Sequence, residues 1–277
     1  MDLLVSTEWL AARLDADDLV ILDATMHLPD DPRDARKEFA AGHIPGARFL
    51  DLASFIDAGS AVPKAIPTPE QFAERMGALG IAPGSRIVIY DDSDIRSAAR
   101  AWFILTRYDE QKVAILDGGL GKWRIEGRRL SDRIVQHAPR HRADPQPHRT
   151  VRDKEEILAN TDSRDWQVVD ARDRARFIGK AGSGSEGHIP GARNLHYAKL
   201  IREDGTYASP EEIRAQFAEA GVDISKPVVT SCNSGMTATV LLFALALVGE
   251  HDAALYDGSW LEWGTDPETP KESGEAR

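Results

Sequence analysis

The chain has 277 residues, of which 42% are hydrophobic and 29% are charged, which is typical of a globular protein with one large domain or two medium ones. A formal net charge of −11 argues against nucleic acid and membrane surfaces as partners, since both attract basic patches. The single cysteine excludes an internal disulfide, and the N-terminal residues lack the pattern of a signal peptide, so we expect a cytoplasmic protein.

The first half alternates short apolar strands with helices. Residues 20–22 and 86–90 are apolar runs rich in β-branched side chains, typical of buried parallel strands. Between them, Thr68 and Pro69 have the residue types preferred at the N-cap and first position of a helix, which predicts a helix over residues 69–79. Strands alternating with helices predict an α/β domain with a mainly parallel sheet.

A polar stretch separates the two halves. Residues 131–149 are rich in Pro, His, Arg and Asp and have no apolar periodicity, so they are predicted to be a linker between an N-terminal domain (1–130) and a C-terminal domain (150–277). The linker histidines His137, His141 and His148 have neither the spacing nor the accompanying cysteine of a metal site, and we expect no metal there.

The second half repeats the first. Four sequence blocks recur in the same order, which predicts a duplicated domain. The matched pairs are Asp23-Ala24 with Asp170-Ala171, the hexapeptide His-Ile-Pro-Gly-Ala-Arg at 43–48 and 188–193, Thr68-Pro69-Glu70 with Ser209-Pro210-Glu211, and Asp117-Gly118 and Trp123 with Asp257-Gly258 and Trp263.

One position differs between the two copies in a way that matters for chemistry. After the strand that ends at Tyr90 the next residue is Asp91, whereas Cys232 follows the matching strand in the second half. Ligands of parallel sheets bind at the carboxyl ends of the strands. A cysteine between a strand and a helix N-terminus faces unpaired backbone N–H groups and the positive end of the helix dipole, and both favour the thiolate. The sequence therefore predicts that Cys232 is a reactive thiol rather than a small buried hydrophobe.

The repeated blocks and the loop Cys-x-Ser-Gly-x-Thr-Ala at 232–238 together resemble the tandem rhodanese-domain sulfurtransferases, over residues 5–264. The resemblance implies two tandem rhodanese-like domains, each a mainly parallel sheet flanked by helices, with a catalytically silent first domain that carries Asp91. It implies an enzyme, and nothing in the sequence suggests a metal or an organic cofactor. Cys232 would take sulfur from a small-molecule donor as a persulfide and pass it to cyanide or to a thiol acceptor such as thioredoxin or glutathione.

The loop resembles that of the mercaptopyruvate subclass, which implies 3-mercaptopyruvate as donor. The resemblance implies Ser234 as a proton relay, His43 and Asp34 of the first domain as its support, and Arg176 as the clamp for the donor's anionic group. His43 has an alternative role as a brace for the Pro-Gly turn. The remaining residues predicted to bind substrate are those of the loop: Asn233, Gly235, Met236, Thr237 and Ala238.

One segment departs from the mercaptopyruvate pattern. The second arginine that usually binds this donor is missing; residues 179–187 are glycine-rich, Ser185 stands at the arginine position, and Lys180 offers only a point charge. Thiosulfate therefore remains the alternative donor. Arg172 is predicted to be a solvated side chain or the ion-pair partner of Asp170 or Asp173.

Two other functions are weaker. A phosphatase with this architecture needs Cys-x5-Arg, but the sixth residue after Cys232 is Ala238. A non-enzymatic rhodanese-like regulatory module would be expected to have lost the cysteine.

Overall fold

The computed structural model describes residues 1–108 and 110–276. The chain divides into two units, the first made of residues 1–57, 66–148 and 203–206, and the second of residues 58–65, 149–202 and the chain from 207 onward. The stretch predicted as a linker lies along the first unit, where the Arg140 amide donates to the Gly77 carbonyl and the His148 amide to the Arg107 carbonyl. The predicted domains were continuous stretches of chain, whereas residues 58–65 are grouped with the second unit and residues 203–206 with the first.

The first unit contains a parallel sheet with the strand order β1-β5-β4-β2-β3 in the described residues, flanked by helices. The predicted strands are β2 and β4, and the predicted helix is α3, where Thr68 and Gln71 form a capping box. The elements are β1 (Leu4–Val5), α1 (Thr7–Ala11), β2 (Leu19–Asp23), α2 (Ala35–Ala41), β3 (Arg48–Phe49), α3 (Pro69–Ala78), β4 (Arg86–Tyr90), α4 (Ala98–Arg107), β5 (Val113–Leu116) and α5 (Gly119–Ile125).

The second unit repeats this topology, with the strand order β6-β10-β9-β7-β8 and parallel pairing throughout its described part. The duplication read from the four sequence blocks is thus a duplication of the whole fold. The elements are β6 (Val151–Arg152), α6 (Lys154–Ser163), β7 (Gln167–Asp170), α7 (Arg174–Phe177), β8 (Arg193–Asn194), α8 (Pro210–Glu219), β9 (Val228–Ser231), α9 (Ala238–Leu247), β10 (Ala254–Tyr256) and α10 (Ser259–Trp263).

The central strand of each sheet leads through a loop into a buried helix. β4 lies between β2 and β5, and β9 between β7 and β10. In α9 the residues from Ala238 to Ala246 are all buried, because the helix is apolar on every side. Both ends of the loop between β9 and α9 are therefore anchored in the core.

The repeat extends past the last helix of each unit. His43 forms a backbone bridge with Ser131 in the first unit, and His188 forms the same bridge with Glu272 in the second. The start of the predicted linker therefore has a structural counterpart in the C-terminal segment. Within residues 1–108 and 110–276, no helix combines the length and the apolarity needed to cross a bilayer.

Candidate active site

The loop after β9 holds Cys232 inside the second unit. Cys232 is 1% exposed, and its carbonyl oxygen accepts the amide of Trp260 at 3.1 Å. The next carbonyl, of Asn233, accepts the amide of Leu261 at 2.8 Å. The first turn of α10 therefore fixes the backbone of Cys232 and Asn233, and with it the position of the thiol.

The loop also presents unpaired backbone donors. The amides of Ser234, Met236, Thr237 and Ala238 donate to no acceptor in the described part of the chain. Ala238 is the first residue of α9, a ten-residue helix, so its N–H group lies at the positive end of the helix dipole. This loop has the donors to hold an anion next to Cys232.

The corresponding loop of the first unit contains its own anion. The carboxylate of Asp91 accepts the amide of Ser93 at 3.2 Å and that of Ala98, the first residue of α4, at 2.6 Å. Burial raises the pKa of Asp91 to about 6, against these two hydrogen bonds, which lower it. Ser93 matches Ser234 by sequence, and Ala98 and Ala238 are each the first residue of the following helix. The amides of Ser234 and Ala238 lack an acceptor in the described part of the chain.

The predicted loop residues are brought together in this one turn. Gly235 and Ala238 are buried, whereas the other four positions are partly exposed. Gly235 has φ 71°, a left-handed conformation that suits glycine. The hydroxyl of Thr239 donates to the carbonyl of Met236 at 2.6 Å and closes the turn into α9. The partly exposed positions are Asn233, Ser234, Met236 and Thr237.

Arg176 lies in α7 of the same unit. Its Nε donates to the carboxylate of Asp173 at 2.5 Å, and 39% of its side chain is exposed. Asp173 also caps α7 by accepting the Arg176 amide. The Nε–Asp173 contact orients the guanidinium, and a partly exposed arginine retains further N–H groups for an anionic ligand.

Arg172 is fully embedded, so its prediction as a solvated side chain is wrong and the ion pair with Asp170 is correct. It is 1% exposed, with Nη2 2.6 Å from the Asp170 carboxylate. Nη1 donates to the hydroxyl of Ser185 at 2.9 Å, and the guanidinium lies 4.5 Å from the centre of the Trp260 ring. Ser185, which stands where the second substrate arginine was expected, therefore serves as a partner of Arg172.

His43 is completely buried in the first unit. Its Nδ1 lies 2.7 Å from the Phe39 carbonyl oxygen, and its ring stacks on that of Phe39 at 4.0 Å. His188 repeats this arrangement in the second unit on Phe177, at 2.8 Å and 3.7 Å. The shared geometry accounts for His43 as a brace of its hexapeptide, and its catalytic role stays a prediction.

Asp34 is the N-cap of α2. Its carboxylate accepts the amide of Lys37 at 3.1 Å and pairs with the Lys37 ammonium at 3.0 Å. The backbone hydrogen bond from Lys37 lowers the pKa of this exposed carboxyl. These contacts are those of a helix cap, and the catalytic role of Asp34 also stays a prediction.

Ser259 is a functional candidate that the motif reading missed. It is fully buried with φ 52°, and its Oγ accepts the amides of Cys232 and Gly235, both at 3.1 Å. The same hydroxyl donates to the carbonyl of Tyr256 at 2.8 Å. The signal was present in the sequence: within the matched Asp-Gly blocks, the next residue is Gly119 in one copy and Ser259 in the other.

In residues 1–108 and 110–276, no group of three or more His, Cys, Asp or Glu side chains is arranged to hold a metal ion.

Comparison with known proteins identifies the family. The rhodanese-like domain model matches residues 6–126 and 153–266. The 3-mercaptopyruvate sulfurtransferase of Homo sapiens is 41% identical over 273 residues, covering 94% of this chain and 91% of the relative. The thiosulfate sulfurtransferase of Bos taurus is 35% identical over 271 residues, again covering 94% and 91%.

Among solved structures, the chain is similar to SseA from Escherichia coli, which is described as having the rhodanese fold of the 3-mercaptopyruvate sulfotransferases. The two superpose with a TM-score of 0.86 at 35% identity, and the match covers 94% of this chain and 99% of SseA. The chain therefore belongs to the rhodanese-like family, and it is a sulfurtransferase with two such domains.

Proposed function

We propose that the enzyme transfers sulfur from 3-mercaptopyruvate through a persulfide on Cys232 to cyanide or a thiol such as thioredoxin or glutathione. The Cys232 thiolate attacks the donor sulfur, the donor C–S bond breaks, and the leaving enolate takes up a proton to become pyruvate. An acceptor nucleophile then attacks the outer sulfur, and the S–S electron pair returns to Cys232 as thiolate.

The comparison of the two strand–helix loops carries this proposal. In the first unit, the amides of Ser93 and Ala98 hold the carboxylate of Asp91. In the second unit, the equivalent amides of Ser234 and Ala238 are without an acceptor beside Cys232. Donors of this kind would stabilise the negative charge of the thiolate and of the persulfide.

Two side chains complete the proposed chemistry. Ser234, two residues from the nucleophile and partly exposed, would donate the proton that the enolate requires. Arg176 would bind the carboxylate of the donor with the N–H groups left over from its Asp173 contact. The roles of His43 and Asp34 in supporting Ser234 stay predictions.

Thiosulfate is the second candidate donor, because the second arginine expected to bind 3-mercaptopyruvate is missing. Ser185 replaces the second substrate arginine and is bonded to Arg172. The bovine relative named a thiosulfate sulfurtransferase is 35% identical to this chain.

The decisive experiment measures thiocyanate formation with cyanide as acceptor and each donor in turn, compared as kcat/KM. We expect 3-mercaptopyruvate to be preferred, and Cys232→Ser to lose at least about 1,000-fold in kcat because no other nucleophile can carry the sulfur. Mass spectrometry of the enzyme after exposure to donor alone should show one added sulfur on the peptide that contains Cys232.

Two results would contradict the proposal. Preference for thiosulfate would assign the donor to the altered segment 179–187 rather than to the cysteine loop. Turnover by Cys232→Ser near that of the wild type would remove the persulfide mechanism itself.

We also propose a reducing, cytoplasmic location, which rests on the single cysteine.

A further inference from the structure

We infer that Ser259 is a positioning residue that holds the Cys232 loop in its reactive conformation. The inference rests on the proposed function, in which the loop amides stabilise the sulfur anion. Ser259 follows β10, on a different segment of the chain from the loop that it binds.

The hydroxyl of Ser259 uses its full hydrogen-bonding capacity on the backbone. A serine hydroxyl has one proton to donate and two lone pairs. Here the lone pairs take the amides of Cys232 and Gly235, and the proton goes to the carbonyl of Tyr256. This leaves no proton for the substrate, so Ser259 acts through the loop and not on the reacting atoms.

Binding two amides three residues apart to one oxygen atom forces the loop to curve. The donors between and after them, at Ser234 and at Ala238, belong to this curved segment and have no acceptor of their own. The Ser259 hydroxyl thus diverts two amides to the scaffold and leaves the others for an anion.

The backbone of Ser259 is strained, which indicates that the hydrogen bonds of its side chain compensate for an unfavourable backbone conformation. Its φ of 52° is in the left-handed region, which costs a non-glycine residue roughly 1–2 kcal/mol. The equivalent Gly119 has nearly the same φ, 57°, and a Cβ there would lie 2.4 Å from the carbonyl oxygen of Asp91. Glycine therefore satisfies this backbone in the silent unit, while the unit with the cysteine carries a strained serine.

The test compares Ser259→Gly with Ser259→Ala in the full-length enzyme, at a temperature where circular dichroism shows each to be folded. We expect kcat to fall about 10- to 100-fold in both, because the loop donors lose their alignment. The glycine variant keeps a compatible backbone, so its loss cannot be attributed to strain.

A second readout needs no turnover. Since Cys232 is the single cysteine, the rate of alkylation by iodoacetamide reports on it alone. We expect the pH profile of alkylation to move to higher pH in both variants, because the thiolate loses stabilisation relative to the thiol.

Ser97 provides a matched control in the first unit. It is also fully buried, and its hydroxyl accepts the amide of Met26 at 3.1 Å and donates to the carbonyl of Ala24 at 2.8 Å. Ser97→Ala should lower the melting temperature but leave kcat and the alkylation profile unchanged.

Three outcomes overturn the inference: kcat of folded Ser259→Gly within about twofold of wild type, an unmoved alkylation profile, or equal effects in Ser97→Ala. Failure of the proposed function would be recognised separately, by a preference of the wild-type enzyme for thiosulfate or by turnover of Cys232→Ser, and alkylation of Cys232 in the Ser259 variants could still be compared with wild type.

Discussion

The loop after β4 and the loop after β9 occupy the same position in the two units but carry different side chains. Each leads from the central strand of a parallel sheet into the N-terminus of a buried helix, where backbone donors converge. The first loop fills this position with the Asp91 carboxylate. The second places Cys232 there, and the amides of Ser234 and Ala238 have no acceptor in the described part of the chain. The same fold thus holds a carboxylate of its own in one copy and leaves donors for an anion in the other.

The residues that contact the two loops differ between the units, as Asp91 and Cys232 do. Thr25 becomes Arg172, Gly119 becomes Ser259, and Leu120 becomes Trp260 by sequence correspondence. In the second unit the Arg172 guanidinium packs on the Trp260 ring, and the Trp260 amide binds the Cys232 carbonyl. The difference between the units therefore includes the residues that support the Cys232 loop, Arg172 and Trp260.

The largest effect on stability is expected from Arg172→Met. This change leaves the carboxylate of Asp170 buried without its cation, which typically costs about 3–5 kcal/mol of unfolding free energy. Activity should also fall, because the packing under Trp260 is lost. Chemical denaturation and kcat/KM measure the two effects.

The comparison variant is Thr25→Val in the first unit. The Thr25 hydroxyl accepts the amide of Asp92 at 3.0 Å and also bonds the buried Asp23 carboxyl. Loss of these contacts should cost about 1–3 kcal/mol with little change in kcat. Equal losses of stability in the two variants would contradict the view that Arg172 has become an added support of the second unit.

A smaller effect is expected from the buried carboxyl of the first loop. Because burial raises the pKa of Asp91 from 3.8 to about 6, the folded state holds a proton that the unfolded chain has released between these values. The contribution of Asp91 to unfolding free energy is therefore present below pH 4 and lost as pH rises through 6, a change on the order of 3 kcal/mol.

The difference in urea midpoint between wild type and Asp91→Asn isolates this contribution from that of Asp23, whose pKa burial also raises. We expect the wild type to lose stability relative to the variant between pH 4 and pH 7. A difference that does not depend on pH would show that Asp91 is not the buried anion of this loop.

The last expected effect is on donor binding rather than on stability. Arg176→Gln should raise KM for 3-mercaptopyruvate about tenfold, or about 1.4 kcal/mol, with an unchanged melting temperature, because the side chain is partly exposed. Arg174→Gln is the matched control on the same helix, since Arg174 pairs with Glu275 at the surface. Equal effects of the two changes on KM would remove Arg176 as the clamp.

Much of this protein follows from local sequence alone. The strands β2 and β4, the capped helix α3 and the position of Cys232 after a buried strand were all predictable, because apolar periodicity and capping residues act over a few positions. The duplication was also predictable, since four blocks recur in order. Together with the resemblance of the cysteine loop, these features predicted the family, which the comparisons confirm, and they predict Cys232 as the nucleophile.

Tertiary structure decided the surroundings of Cys232. Arg172 was predicted to be either solvated or paired, and only the folded packing on Trp260 and Ser185 selects the buried pair. Ser259 lies 27 residues beyond Cys232, so no local pattern could show that its hydroxyl binds the cysteine loop. Such hydrogen bonds arise when neighbouring parallel strands end at the same edge of a sheet, which brings distant segments together there.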